Sequence, residues 1–207
     1  MIPGIFITAT GTDIGKTLVD PSFFIENQIP GSVNTHTDIT PEQAAASILK
    51  HVRDGVVLAR KHRLPRRIDD FILEHHGTML TRYQYMQAVE RAGGDAEKVE
   101  NDKFRYPGPR PRSRETALLM LADACEARSR AENPQSEDRL REIVRSVIEI
   151  VERDGQLDNT QLTLHDLHQA TESFITTLRG TYHPRIQYPA AEVPGSAPVE
   201  TRPEKGG

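Results

Sequence analysis

The sequence predicts an all-α domain: a helical bundle behind a short strand-like segment and ahead of a polar tail. Three observations carry this. Apolar residues recur at spacings of three and four behind polar residues that can cap a helix. After Pro21 no run of β-branched and aromatic residues suits a strand. The composition is 36% hydrophobic and 27% charged, with a mean hydropathy of -0.55, which fits long charged helices.

Residues 1–10 hold the strand-like segment, through Ile5, Phe6, Ile7 and Thr8. A loop with Pro30, Gly31 and Asn34 leads to the first helix start. There Thr40 can cap, Pro41 suits the first turn and Gln43 completes a capping box. That helix runs to about His62, with Ala44, Ile48, Val52 and Val56 on one stripe. Shorter helices are expected from Arg67 to Glu74 and from Thr81 to Arg91. A polar connection carrying FRYPGPRPR follows, and Ser113 opens an apolar helix. Ser136 opens another, with Ile143, Val144, Val147, Ile150 and Val151 along it. Thr163, three residues before Asp166, caps the last, through Leu167, Ala170, Phe174 and Leu178. From Pro189 onward prolines and small residues replace large apolar ones, and a disordered tail is expected.

With 207 residues, one domain is the expectation. A net charge of -4 gives no drive toward a DNA or RNA polymer or an anionic membrane. One cysteine, Cys125, excludes an internal disulfide and fits a reducing compartment. No apolar run approaches the roughly 18 residues of a membrane span. GIFITAT lacks the basic start of a signal peptide, so a cytoplasmic location is expected.

Four residues outside the string GTDIGKT invite a chemical reading. Asp123 shares a helix face with Thr116, Leu119, Met120 and Ala127. A carboxylate amid apolar residues needs a cation or donors, so it is either a ligand or a structurally bonded Asp. His75 and His76 stand at a helix end before Gly77. Adjacent histidines diverge by about 100° on a helix, which disfavours one shared ion. At a frayed end both can enter one cleft, or they can simply be a solvated pair favoured by the dipole. His51 shares a face with Ala44, Ser47 and Ile48 and is expected to point inward. It is then either a ligand or a core histidine, with Ser47 a candidate hydrogen-bond partner. His62, His165, His168 and His183 lie in polar contexts and read as surface; His36 is undecided. Mixed His and Asp ligands suit divalent manganese, iron or zinc. Two such ions about 4 Å apart form a hydrolytic site for phosphate esters.

Several strings carry a family resemblance: DIGKTLVDPSFFIENQ, ILKHVRDGVVLARKHRLP, IDDFILEHHGT, DKFRYPGPRPRSRETALLMLADACEA and GTYHPRIQYP. Together they resemble the HD-domain phosphohydrolases. More narrowly they are similar to the HD domain of membrane-anchored, seven-transmembrane cyclic di-AMP phosphodiesterases. The resemblance spans roughly residues 12–189 and assigns the HD domain to 13–188, with 189–207 as tail. It implies a helical bundle around two divalent ions, manganese or iron, at which water attacks a phosphodiester. It implies Asp13, His51, His75, His76 and Asp123 as metal ligands, with Asp13 and Lys16 serving catalysis. The substrate implied is a cyclic dinucleotide, cyclic di-AMP, opened to linear pApA. Arg105, Arg110 and Arg112, beside Tyr106, are either nucleotide contacts or a solvated basic loop.

Two departures stand against full activity. The family pattern has a histidine directly before Asp13, where this chain has Thr12. The pattern also has an earlier helix with another ligand histidine, for which this chain is expected to lack room. An inactive nucleotide-binding or interaction domain is therefore an alternative. The groove left by a missing helix would favour homodimerisation. Residues 1–17, MIPGIFITATGTDIGKT, resemble instead the P-loop start of dethiobiotin synthetases, and 1–12 are assigned to that segment. There Lys16 would reach phosphates and Thr17 a magnesium ion. Thr10 stands where the loop's first Gly belongs, and Pro21 stops the helix such a loop needs. From Asp13 onward the phosphohydrolase reading holds, and the ATP-dependent synthetase is the minor alternative.

Overall fold

A computed structural model of the chain describes residues 39–182. The N-terminal strand-like segment, the tail, Asp13, Lys16, His36 and His183 lie outside the described residues. Among the described residues six α-helices run in order: α1 Pro41–Lys61, α2 Arg66–Glu74, α3 Arg82–Arg91, α4 Arg114–Glu132, α5 Glu137–Arg153 and α6 Leu164–Tyr182. Two short 3-10 turns, Ala96–Lys98 and Asn101–Phe104, join α3 to α4. The domain is all-α, as its periodicity predicts.

Local chemistry starts each long helix. Thr40 accepts from the Gln43 amide at 3.2 Å, and the Gln43 side chain accepts from the Thr40 amide at 2.9 Å. Ser113 and Thr116 form the equivalent box on α4, and Ser136 caps α5. Thr163 and Asp166 reciprocate at α6, at 2.9 and 3.2 Å. Each such cap stabilises its helix by about 1 kcal/mol.

Two cores hold the bundle. Met120, Leu121 and Cys125 of α4 pack with Leu140, Val144, Val147, Ile148 and Val151 of α5 and with Ile175 and Leu178 of α6. A smaller cluster joins Ala45 of α1, Ala88 of α3 and Phe104 of the second 3-10 turn. Helix α2 touches both halves, packing on α1 and on α4. The C-terminal end of α2 therefore lies between the middle of α1, which carries His51, and the middle of α4, which carries Asp123, and the candidate site is there. Among the described residues, no helix is long and apolar enough to cross a membrane.

Candidate metal centre

Helix α1 delivers His51 from its buried stripe. The residue is 6% exposed. Its hydrogen-bond partner is not Ser47, which is exposed, but the Ile48 carbonyl, 2.5 Å from Nδ1. A carbonyl only accepts, so Nδ1 carries the proton. Helix α2 ends at the histidine pair. His75 is buried, and its Nδ1 likewise donates to the Ile72 carbonyl at 2.7 Å. The pair does not diverge. His75 caps the helix with torsions that are still helical, and the two rings lie 3.9 Å apart, tilted by 39°.

The consequence is electrostatic. With both Nδ1 atoms committed to carbonyls, the two Nε2 atoms present lone pairs to each other, 3.3 Å apart. Two bare nitrogens repel at that distance, so a shared proton or a metal ion belongs between them. Two ligands about 2.1 Å from one ion stand about 3.0–3.4 Å apart at octahedral and tetrahedral angles. The observed spacing falls in that range. The ligand atoms of His51, His75 and His76 all lie within 4.8 Å of one another. Three imidazoles with a carboxylate nearby suit a borderline divalent ion. The residues present thus fit a metal.

The carboxylate is Asp123, on α4, with Oδ2 3.6 Å from His76 Nδ1. Its helical setting differs from the expected one. The buried arc of α4 runs through Thr116, Ala117, Met120, Leu121, Cys125 and Ser129, while Ala127 is exposed. Asp123 therefore sits on the flank of the apolar face, its side chain 15% exposed. Desolvation costs less there, and the carboxylate looks across at the histidines. His62, His165 and His168 are exposed, as read.

Tyr106 closes one side. Its ring stacks on His76 at 4.2 Å and 26°, and meets His51 edge-on at 6.1 Å. The residue keeps some surface exposed, yet protein atoms surround its phenol. Burial first, and the Asp123 charge second, hold that phenol far above its ordinary range. It stays protonated at neutral pH.

Two further residues secure the histidine turn, and neither stands out in the sequence. Glu74 is buried between α2 and α4. Its Oε2 accepts from the Arg112 amide at 2.9 Å and from the Thr116 hydroxyl at 2.7 Å, and Oε1 accepts from Arg112 Nε at 2.8 Å. Gln156, wholly buried beyond the end of α5, reaches the residue after Gly77. It accepts from the Thr78 amide at 3.0 Å and donates to the Thr78 hydroxyl at 2.8 Å. Gly77 has φ +51, and a Cβ there would lie 2.2 Å from Gln156 Oε1. Only glycine fits.

The arginines of the FRYPGPRPR connection are brackets as much as surface charge. Arg105 donates to the Thr78 carbonyl at 2.9 Å, Arg110 to the Gly155 carbonyl at 3.1 Å, and Arg112 to Glu74. Each thus has an intramolecular partner.

A family model described as HD domain matches residues 13–128, more than half of the chain. The chain belongs to the HD-domain family. The chain is 37% identical over 177 residues to the cyclic-di-AMP phosphodiesterase PgpH of Listeria monocytogenes serotype 1/2a (strain 10403S), covering 86% of this chain and 24% of that protein. PgpH of Bacillus subtilis (strain 168) is 36% identical over 179 residues, again 86% and 24%. The chain thus spans about a quarter of the length of these curated relatives. The crystal structure of the L. monocytogenes PgpH HD domain matches with a TM-score of 0.73 at 34% identity, covering 84% of this chain and 80% of that one. The same domain in complex with cyclic-di-AMP matches at 0.75 and 36%, covering 86% and 81%. Asp13 opens the matched range but, with Lys16, lies outside the described residues.

Proposed function

We propose that this chain is the cytoplasmic HD domain of a metal-dependent phosphodiesterase that opens cyclic di-AMP to linear pApA. One observation carries the reading: His51 and His75 bring their Nε2 atoms to 3.3 Å from each other, a spacing that suits two ligands of one ion. His51, His75, His76 and Asp123, with Asp13, would hold two ions, manganese or iron. When bound, the ions supply an activated water nucleophile and neutralise charge on the phosphate. The chain's own groups do the holding. The Ile48 and Ile72 carbonyls fix the imidazole tautomers. Lys16 would face the phosphate and offset its charge. The cyclic dinucleotide is favoured because the PgpH HD domain, 36% identical, has been crystallised with cyclic-di-AMP.

A second reading has its own observation. Thr12 stands where the family pattern has a histidine, and a lost ligand weakens metal binding at least as much as the 10–100-fold typical of its supporting contacts. The domain would then bind the dinucleotide without cleaving it. Metal content by mass spectrometry, on protein purified with manganese or iron, is paired with a cyclic di-AMP hydrolysis assay. About two ions per chain with turnover, both lost in His75→Ala, is the expected result. Saturable binding with no metal and no turnover overturns the enzyme reading in favour of the second. Size exclusion on the same preparation reads the homodimer, and a sharp monomer peak removes it.

A further inference from the structure

This inference rests on the metal-centre reading and concerns a residue outside the proposed ligand set. His51 and His75 have their planes set by carbonyls of their own helices, three residues back. His76 follows the helix end, and its Nδ1 turns toward Asp123 at 3.6 Å. Two rings lie against it: His75 at 3.9 Å and 39°, Tyr106 at 4.2 Å and 26°. Two rings this near and this parallel cannot share one face of a third. His76 is therefore sandwiched between its neighbour and Tyr106.

Tyr106 is itself held from behind. Residues 104–106 pair with 79–81: the Thr81 amide donates to the Phe104 carbonyl at 2.8 Å, and the Tyr106 amide to the Met79 carbonyl at 2.9 Å. Leu80 and Arg105 form an antiparallel bridge at the centre. Phe104, fully buried against Tyr85, anchors the segment, and Arg105 adds its bond to the Thr78 carbonyl. The backbone that presents Tyr106 is thus tied to the same turn that presents His76. The backbone that carries either ring cannot shift relative to the other without disturbing that pairing.

We propose that Tyr106 is a positioning residue for the metal centre: its ring face fixes the plane of His76 and so aims the third imidazole at the His51–His75 pair. The flat ring does this, and the hydroxyl is dispensable for it. Losing such a support costs about 10–100-fold in metal affinity.

The test titrates cobalt(II), without substrate, into the full chain and its Tyr106→Phe and Tyr106→Leu variants, following the visible absorption of the bound ion. The wild type binds, Tyr106→Phe stays within about twofold, and Tyr106→Leu weakens about 10–100-fold with an altered cobalt spectrum. A merely structural role would lower the melting temperature and leave spectrum and affinity alone. Wild-type affinity in Tyr106→Leu overturns the proposal, and so does an equal loss in Tyr106→Phe, which would place the effect in the hydroxyl. If Tyr106→Leu does not fold, Tyr106→Met carries the same expectation. A wild type that takes up no cobalt overturns the metal-centre reading beneath it, which separates the two failures.

Discussion

Glu74→Gln isolates the contact that ties the histidine helix to the rest of the bundle. The carboxylate takes three donors: the Arg112 amide and Thr116 hydroxyl on Oε2, and Arg112 Nε on Oε1. A glutamine has the same shape but one acceptor. Its carbonyl will replace Oε2, because that keeps two of the three bonds. Its NH₂ then faces the Arg112 guanidinium, donor against donor. One charge-assisted bond is lost, at about 1.5–3 kcal/mol, and the other two weaken as the charge disappears. Arg112 is 60% exposed, so water can re-solvate the guanidinium and the penalty stays below that of a fully buried broken pair. The expected loss is about 2–4 kcal/mol. In a chain of this size that lowers the melting temperature by roughly 5–15 °C. Urea denaturation and a thermal melt, read by helical circular dichroism, measure it. A variant within about 0.5 kcal/mol of wild type would show that Glu74 carries no net stability and would refute the reasoning.

Three further outcomes are expected. Gly77→Ala puts a Cβ on Gln156 Oε1 and forces a left-handed φ, so a loss of about 2–4 kcal/mol is expected from strain and displaced amide bonds together; an unchanged denaturation midpoint would count against the close approach. Burial pushes the Cys125 thiol up to about 12, so a disulfide reagent should label it only as the chain unfolds, and rapid labelling of native protein would contradict its place in the core. Hydrogen bonds from Thr163, then Arg114, hold the Asp166 carboxyl below its usual value. Its contribution is complete at neutral pH and fades as pH falls through the acid range, so Asp166→Asn should destabilise at pH 7 and progressively less below about pH 4. A difference that is constant with pH would rule that out.

What could be read in advance was local. The Thr40–Gln43 box, the Ser113, Ser136 and Thr163 starts and the inward His51 all depend on neighbours within a few residues, and the helices begin there. Asp123 was placed on the right helix but on the wrong part of its circumference, because the apolar arc is set by what α5 and α6 cover. Gln156 left no local signal, and Glu74 left only one. Their partners lie far along the chain, at Arg112 and Thr78, and a lone Glu or Gln reads as surface until the tertiary contact is seen. Tyr106 stood in a string noted for its arginines, yet the ring on His76 is what faces the site. One hint was available: Glu74 directly precedes the histidine pair, at a helix end where an acidic side chain opposes the dipole.

Gln156 also bears on where one module stops and the next begins. The family match closes at residue 128, inside α4, while the side chain that clasps the histidine turn comes from beyond α5. A cut at that boundary would keep His51, His75, His76 and Asp123 and remove the clasp. The segment between the last two helices is thus a splint for the histidine turn, and a chimaera that exchanges it between relatives would exchange that support with it.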